Sequence, residues 1–444
     1  MRVIQRVFLA FPVLLTALWI LGDPGAFSGL NGFFAWRNVL MQYSGVLGIG
    51  VMSFAMLLSL RPAWFERRLG GLDKLYRLHR WLGIAGLSIT VAHWLLAQGP
   101  KWLVQLGWLQ RGNRPPRPLL PEGSLQQWFA HQRGFAEGVG EWAFYAAVVL
   151  MLLALVKWFP YRRFFQTHRL LAVCYLALVF HSVVLLRFEY WSTPLGAGLA
   201  LLMAGGCVGA VMALLRRHLG GRRIRGRVVG LQRQPEIGVL GVDIEPDAGW
   251  PGHEAGQFAF ISFDDAEGPH PFTIASAWSG EPRLRFLIKA LGDYTRLLPG
   301  RLHVGSVVKL EGPYGRFTFE GDARRQIWIG GGIGITPFLA RLQALGSAPD
   351  GRDIDLFHST AQYDPDVIAR LQREATAAKV RLHVLWDPRD GRLDVAGIVS
   401  QVPDWREADV WFCGPGGFGR AIRDGLLRLG LPAGRFHQEL FEMR

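Results

Sequence analysis

The sequence predicts a chain in three parts: an all-α six-helix transmembrane domain, an antiparallel β-barrel, and an α/β doubly wound domain. Three observations predict it. Residues 1–217 contain six long apolar runs. From Ile224 to about Glu320 the pattern becomes short alternating runs broken by Gly, Pro and Asp, which is the signature of antiparallel strands. From Gln326 apolar strands alternate with helical segments, the pattern of a parallel sheet with crossover helices. Domain boundaries are therefore expected at 1–217, 221–322 and 323–444. Composition agrees: half of the 444 residues are hydrophobic, with 17 Trp and 28 Phe, and such a composition places part of the chain in a lipid bilayer.

The six spans are expected at 3–21, 39–60, 79–97, 142–159, 168–186 and 195–215. The first has the basic start of a secretory signal but no small-x-small cleavage site after it, so it reads as a membrane helix. Arginines and lysines cluster after the second span (Arg61, Arg67, Arg68, Lys74, Arg77, Arg80), after the fourth (Lys157, Arg162, Arg163, Arg169) and after the sixth (Arg216, Arg217, Arg222, Arg223, Arg225, Arg227). By the positive-inside rule these ends are cytoplasmic, together with both termini and the soluble half. The segment 98–140 is then an outer loop, Pro-rich first (RPPRPLLP) and aromatic after (SLQQWFAHQRGF). Net charge is +14, which the topology-setting arginines account for without a nucleic-acid surface.

Four histidines stand out in these spans. His79 and His93 lie 14 residues apart in one, His168 and His181 lie 13 apart in another. At about 1.5 Å per residue each pair covers roughly 20 Å along its helix. Two such helices side by side offer one histidine each at two depths, the arrangement that two bis-imidazole haems require. A spacing of 14 returns to nearly the same helix face, whereas 13 does not. The second helix is therefore expected to bend or bulge between its histidines. His79-Arg80, His168-Arg169 and Arg37 are candidates for haem propionates, with ordinary loop anchoring as the alternative. The three cysteines, Cys174 and Cys207 in apolar spans and Cys413 in an expected turn, make no disulfide or zinc pattern.

In the barrel region lies His270-Pro271-Phe272-Thr273-Ile274-Ala275-Ser276. A flavin needs an aromatic neighbour, a small hydroxyl donor and backbone amides for its phosphates. HPFTIAS resembles the flavin motif of the ferric reductase and NADPH oxidase superfamily, and IKALGDYT resembles its second flavin segment. The resemblance implies that FAD is bound by His270, Pro271, Phe272, Thr273, Ser276, Lys289, Gly292 and Thr295. Phe272 would then pack by the isoalloxazine and Thr273 would hydrogen-bond near its reactive nitrogen.

The run Gly330-Gly331-Gly332-Ile333-Gly334-Ile335-Thr336-Pro337 follows a strand and opens a helix, where close backbone approach and the helix N-terminus favour a pyrophosphate. With Cys413-Gly414-Pro415 downstream it resembles the pyridine-nucleotide pair of the same superfamily, which implies binding of NADPH or NADH with Thr336 and Cys413 near the nicotinamide. His358-Ser359-Thr360-Ala361 lacks the arginine that often meets a 2′-phosphate, which leaves NADPH and NADH both open. The tail resembles those that lay an aromatic over the flavin, with Phe441 as the candidate beside Thr273 and Cys413.

The resemblance spans nearly the whole chain. It implies an NAD(P)H-dependent transmembrane oxidoreductase of a bacterial inner membrane, passing electrons through FAD and two b-type haems to an outer acceptor. Oxygen giving superoxide is the first expectation; a ferric chelate and a periplasmic protein partner are the alternatives. Oxidase relatives carry a further histidine one turn past the outer ligand, where this chain has Ala97. No EF-hand loop is present, so turnover is expected to be constitutive.

Overall fold

A computed structural model describes residues 2–110, 120–156, 158–215, 223–264 and 267–439. The chain divides into two compact units, Met1–Gly220 and Gly221–Met443.

The first unit is helical: α1 (Arg2–Gly22), α2 (Phe33–Ser59), the short α3 (Ala63–Leu69), α4 (Leu72–Gln105), α5 (Leu125–Leu155), α6 (Tyr161–His168), α7 (Leu171–Leu185) and α8 (Pro194–Leu214). Among the described residues six spans are long and apolar enough to cross a bilayer, with α6 and α7 forming one of them. The expected irregularity in that span is present: α6 stops at His168, two residues of turn follow, and α7 resumes at Leu171. The core of the unit lies among α1, α2, α7 and α8, around Leu15, Trp19, Val46, Ile49, Tyr175, Leu199 and Met203. Tyr175 is hydrogen-bonded to Ser53 at 2.8 Å, and Gly206 makes room for its hydroxyl, since a Cβ there would lie 2.0 Å away.

Two expectations change here. The second span begins six residues earlier than expected, at Phe33, and much of 98–140 is helical rather than loop, because α4 runs to Gln105 and α5 begins at Leu125. The start of α5 has a local cause. Ser124 accepts a hydrogen bond from Gln127 N, and the Gln127 side chain accepts from Gly123 N, a reciprocal cap. At about 1.5 Å per residue, the 31-residue α5 and 34-residue α4 exceed a hydrocarbon core of about 30 Å, so the two form a hairpin projecting past it.

The second unit has two sheets. The first contains β1 (Arg223–Gln234), β2 (Val239–Pro246), β3 (Phe258–Ser262), β4 (His270–Thr273), β5 (Leu284–Lys289) and β6 (Val307–Tyr314), with α9 (Asp293–Arg301) between the last two. It is antiparallel in the order β4-β3-β6-β1-β2-β5, and an Ile274–Phe286 bridge brings its two edges together. Alternation in β5 sends Leu284, Phe286 and Ile288 inward and leaves Arg285, Leu287 and Lys289 on the other face. The inward set joins Val242, Ile244, Ile261 and Leu310 in one core, where each such side chain contributes about 1.5–3 kcal/mol.

The second sheet is parallel: β7 (Arg325–Gly331), β8 (Asp353–Thr360), β9 (Arg381–Trp386), β10 (Asp409–Cys413) and the short β11 (Phe436–Gln438), in the order β11-β10-β7-β8-β9. Helices α10 (Thr336–Ser347), α11 (Pro365–Ala377), α12 (Asp387–Asp390), α13 (Val395–Gln401) and α14 (Gly416–Arg428) connect its strands. From β7 the chain winds one way to β8 and β9, then returns to the other side for β10. The order therefore reverses between β7 and β10, the place where open parallel sheets bind ligands.

Candidate functional site

The glycine turn and the Cys-Gly-Pro segment meet at that reversal. Gly334 lies against β10, where a Cβ would stand 2.2 Å from the Cys413 carbonyl oxygen, and a Cβ on Gly331 would stand 3.0 Å from Pro415. Gly332 has φ +56, a left-handed conformation that suits glycine. Thr336 opens α10 but is buried, and its hydroxyl donates to the Ile333 carbonyl at 2.6 Å. Cys413 ends a strand rather than occupying a turn. It is 2% exposed, and burial followed by the Glu439 carboxylate push its thiol well above the usual range, so it stays protonated at neutral pH.

The flavin-motif residues lie on β4, the sheet edge. His270 stacks on Tyr294 of α9 at 4.7 Å, and Phe272 packs on the barrel core beside Phe263. The next residues are braced: Ser276 Oγ accepts from Arg285 N at 3.1 Å and its carbonyl accepts from His253 Nε2 at 2.8 Å. At the start of α9, Thr295 Oγ1 accepts from the amides of Leu291 and Gly292 and donates to the Gly292 carbonyl. Thr295 thus shapes this turn, and the amides of the first helical turn are what it offers an anion. Lys289 lies on the outer face of β5 and lines a cavity of about 90 Å³ with Gly332, Ile333, His358, Thr360 and Gln362. That places it with the glycine turn as well as near the second flavin segment. The cavity is smaller than the roughly 300–1,000 Å³ of a typical ligand pocket. Phe441 lies outside the described residues.

Two histidines here carry a pH prediction. Burial pushes His270 and His358 down to about 4 from 6.5. Both are neutral when folded at pH 7, and His358 Nδ1 donates to the Gly330 carbonyl at 3.2 Å. Between about pH 6.5 and 4 the unfolded chain binds more protons than the folded one, so stability falls as pH drops through that window. Each shift corresponds to about 3 kcal/mol at its limit. Thermal unfolding of the full chain in detergent should therefore shift to lower temperature from pH 7.5 to pH 5. An unchanged midpoint would contradict the burial argument.

In the helical unit the four histidines come together in the expected pairs. The rings of His79 and His168 are 6.0 Å apart between centres, and those of His93 and His181 are 6.4 Å apart. Imidazole nitrogens bind first-row metals at about 2 Å, which sets the ring centres of two imidazoles on one metal roughly 6 Å apart. Three of the four are oriented through Nδ1: His79 to the Ala55 carbonyl at 3.0 Å, His181 to the Ala136 carbonyl at 2.9 Å, and His93 to Ser44 Oγ at 2.9 Å. Ser44 itself donates to the Leu40 carbonyl, so it accepts from His93. Each of these bonds places the proton on Nδ1 and leaves the Nε2 lone pair free to ligate. His168 Nδ1 is buried with no partner among the described residues, and its ring stacks on Phe164. Gly140 admits the His181 ring, for a Cβ there would lie 2.0 Å from Nδ1. Principal packing runs between α4 and α2 and between α5 and α7, while the His79–His168 and His93–His181 ring pairs link α4 to α6 and to α7. The arginines divide. Arg37 donates to the Leu96 carbonyl, one turn from His93, whereas Arg169 reaches the Ala213 and Leu214 carbonyls at the end of α8.

No local pattern marks Ala55, Ser44, Ala136 or Gly140, whose roles depend on tertiary approach. Nor did it point to Asp355, 1% exposed and bound by Arg325, Arg381 and His383 at the strand ends opposite the glycine turn. That network is structural.

Known proteins match this arrangement in parts. Residues 44–179 match the ferric reductase like transmembrane component family, and residues 238–318 match the FAD-binding domain family. The stachydrine N-demethylase reductase subunit Stc4 of Rhizobium meliloti is 31% identical over 207 residues, covering 43% of this chain and 58% of that protein. The NADPH oxidoreductase of Mycobacterium tuberculosis is 32% identical over 209 residues, covering 44% and 54%. The chain thus spans a little over half the length of these curated relatives. The flavohemoglobin structure from Malassezia yamatoensis covers 92% of this chain and 97% of its own at 19% identity, with a TM-score of 0.49.

Fold and matches define an integral membrane flavoprotein of the oxidoreductase class, with an FAD-binding barrel and a nucleotide-binding sheet. The two matched domains, in this order along the chain, resemble those of the ferric reductase and NADPH oxidase superfamily.

Proposed function

We propose that the chain is a transmembrane NAD(P)H oxidase: electrons pass from NAD(P)H through FAD and two b-type haems to oxygen, which leaves as superoxide. The observation that carries this reading is the pair of imidazole couples at 6.0 and 6.4 Å. Among the described residues no group of three or more His, Cys, Asp or Glu could hold a metal ion. Two imidazoles per site fit a metal whose other ligands come from a macrocycle. When bound, FAD takes the hydride and releases single electrons, and the haems carry them across the bilayer.

The chain's own residues do the rest. The glycine turn and Pro415 bring backbone close at the sheet reversal, where a nucleotide pyrophosphate would meet the start of α10. Cys413, held as a thiol, offers a small neutral wall there. Phe272 and Thr273 on the edge strand would border the flavin, with the α9 amides and Lys289 toward its phosphates. His79 and His168 would hold the inner haem, His93 and His181 the outer. With two imidazoles holding each haem, neither site would leave room for the acceptor to bind the metal, and the acceptor would be reduced by electron transfer alone. The arginine distribution supports a cytoplasmic soluble half in a bacterial inner membrane.

Purified protein loaded with FAD and haem, given NADPH or NADH in air, should reduce cytochrome c in a reaction that superoxide dismutase suppresses. Insensitivity to the dismutase, with haem that stays reduced in air, would overturn the oxygen assignment and favour a ferric chelate or a periplasmic protein.

A further inference from the structure

An ionisable side chain at lipid depth is costly and is found where it has a partner and a task. Glu141 is such a residue. It lies 14 residues before Leu155 on α5, roughly 21 Å from that end of the helix and inside a hydrocarbon core of about 30 Å. Its Oε1 accepts hydrogen bonds from Gln98 Nε2 on α4 at 2.8 Å and from the Tyr145 hydroxyl at 2.7 Å. Tyr145 in turn accepts from the Trp94 indole at 3.3 Å. These four side chains form one polar line across the seam between α4 and α5.

The seam is also aromatic and open. Trp94 stacks on Phe144 with ring centres 5.6 Å apart and meets Trp102 edge-on at 5.4 Å. Tyr145 and Trp142 are 36% and 76% exposed within one turn of Glu141. The seam lies at the level of the His93–His181 pair: Trp94 follows His93, and Glu141 follows the glycine that touches His181. One turn toward the hairpin loop, Glu137 pairs with Arg133 at 3.1 Å, which continues the line of polar side chains toward the outer end of α5.

We propose that this seam binds a membrane-soluble quinone, which takes electrons leaving the outer histidine level; the proposal rests on the electron route given above. A quinone is a flat ring entering from lipid, with two carbonyl oxygens that accept hydrogen bonds and gain protons on reduction. Trp94 and Phe144 offer the flat face, the second N–H of the Gln98 amide a donor, and Glu141, held by the Tyr145 hydroxyl, a carboxyl where a proton must arrive. Reduction of oxygen to superoxide, or of ferric to ferrous iron, takes up no proton and gives such a carboxyl no task. The balance is NAD(P)H + H⁺ + quinone → NAD(P)⁺ + quinol. The dihydropyridine C–H bond breaks, its two electrons cross singly, and two O–H bonds form on the quinone with protons passed from water through Glu141.

The test uses the full chain in liposomes carrying decylubiquinone, without oxygen. On adding NAD(P)H, wild type should form quinol, and Glu141→Gln and Tyr145→Phe should each slow this about tenfold while ferricyanide reduction is unchanged. Equal quinol rates in wild type and both variants, or ferricyanide reduction without any quinol, would overturn the proposal. Binding is read separately, without NAD(P)H, from quenching of tryptophan fluorescence by the quinone. Saturable quenching that Trp94→Phe diminishes and Glu141→Gln moves to higher quinone concentration supports the site. Quenching identical in all three proteins overturns it, even in protein that takes up no haem, the case in which the electron route itself has failed.

Discussion

Replacing His181 by alanine should leave NAD(P)H-dependent flavin reduction intact and, on the haem assignment proposed above, remove one of two haems per chain and cut acceptor reduction by more than about 100-fold, since loss of a ligand exceeds the 10–100-fold typical of its supporting groups. His181 is held on two sides, with Nδ1 on the Ala136 carbonyl at 2.9 Å and Gly140 closing on its ring. His93→Ala should behave alike, because both rings belong to one couple. Flavin reduction is the control, since the nucleotide and flavin segments lie in the second unit. The measurement is stopped-flow absorbance of flavin and haem in one sample, with haem counted per chain. Two haems and unchanged acceptor reduction in either variant would sink the assignment of this couple.

Much of this was legible in the chain because membrane helices and nucleotide turns have few solutions. The spacing of 14 against 13 both announced two levels and required a broken second helix, and the break falls immediately after His168. HPFT was placed in the barrel by its neighbours, and it forms the edge strand β4. The Gly330–Pro337 run and Cys413-Gly414-Pro415, about 80 residues apart in sequence, meet at the sheet reversal because β7 and β10 are neighbours. Long apolar periodicity and glycine-rich turns are strong local signals, and for these the local signal sufficed.

What could not be read was set by tertiary approach or by short elements. The helices of 98–140 carry Gly, Gln and charge, so hydropathy alone ended the spans too early. Helix α9 begins within the second flavin segment, at Asp293, and nothing in IKALGDYT shows that Thr295 folds back on its own turn. Arg169, a propionate candidate from its place after His168, donates to the last carbonyls of α8, whose position no local pattern records. The acceptors behind the histidines are backbone carbonyls in two cases of three, and a carbonyl has no sequence identity.

Gly140→Ala tests that last class of residue by a single methyl group. A Cβ at Gly140 would stand 2.0 Å from Nδ1, 2.6 Å from Cγ and 2.5 Å from Cε1 of His181, so either the ring or α5 must move. Moving the ring breaks its bond to the Ala136 carbonyl and turns Nε2 away from His93. By the usual cost of losing a ligand's supporting group, outer haem affinity and acceptor reduction should fall about tenfold or more. Gly138, two residues earlier in the same helix, has nothing within 4 Å of its Cβ position. Gly138→Ala should therefore leave haem content and turnover unchanged and stabilise the helix by about 0.5–1 kcal/mol, the general gain of alanine over glycine in a helix interior. Helix propensity acts on both substitutions in the same direction, so only contact with His181 separates them. Haem content per chain and the optical spectrum of the two variants decide the matter: equal loss in both would point to a general sensitivity of α5, and no loss in either would mean that Gly140 does not seat the imidazole.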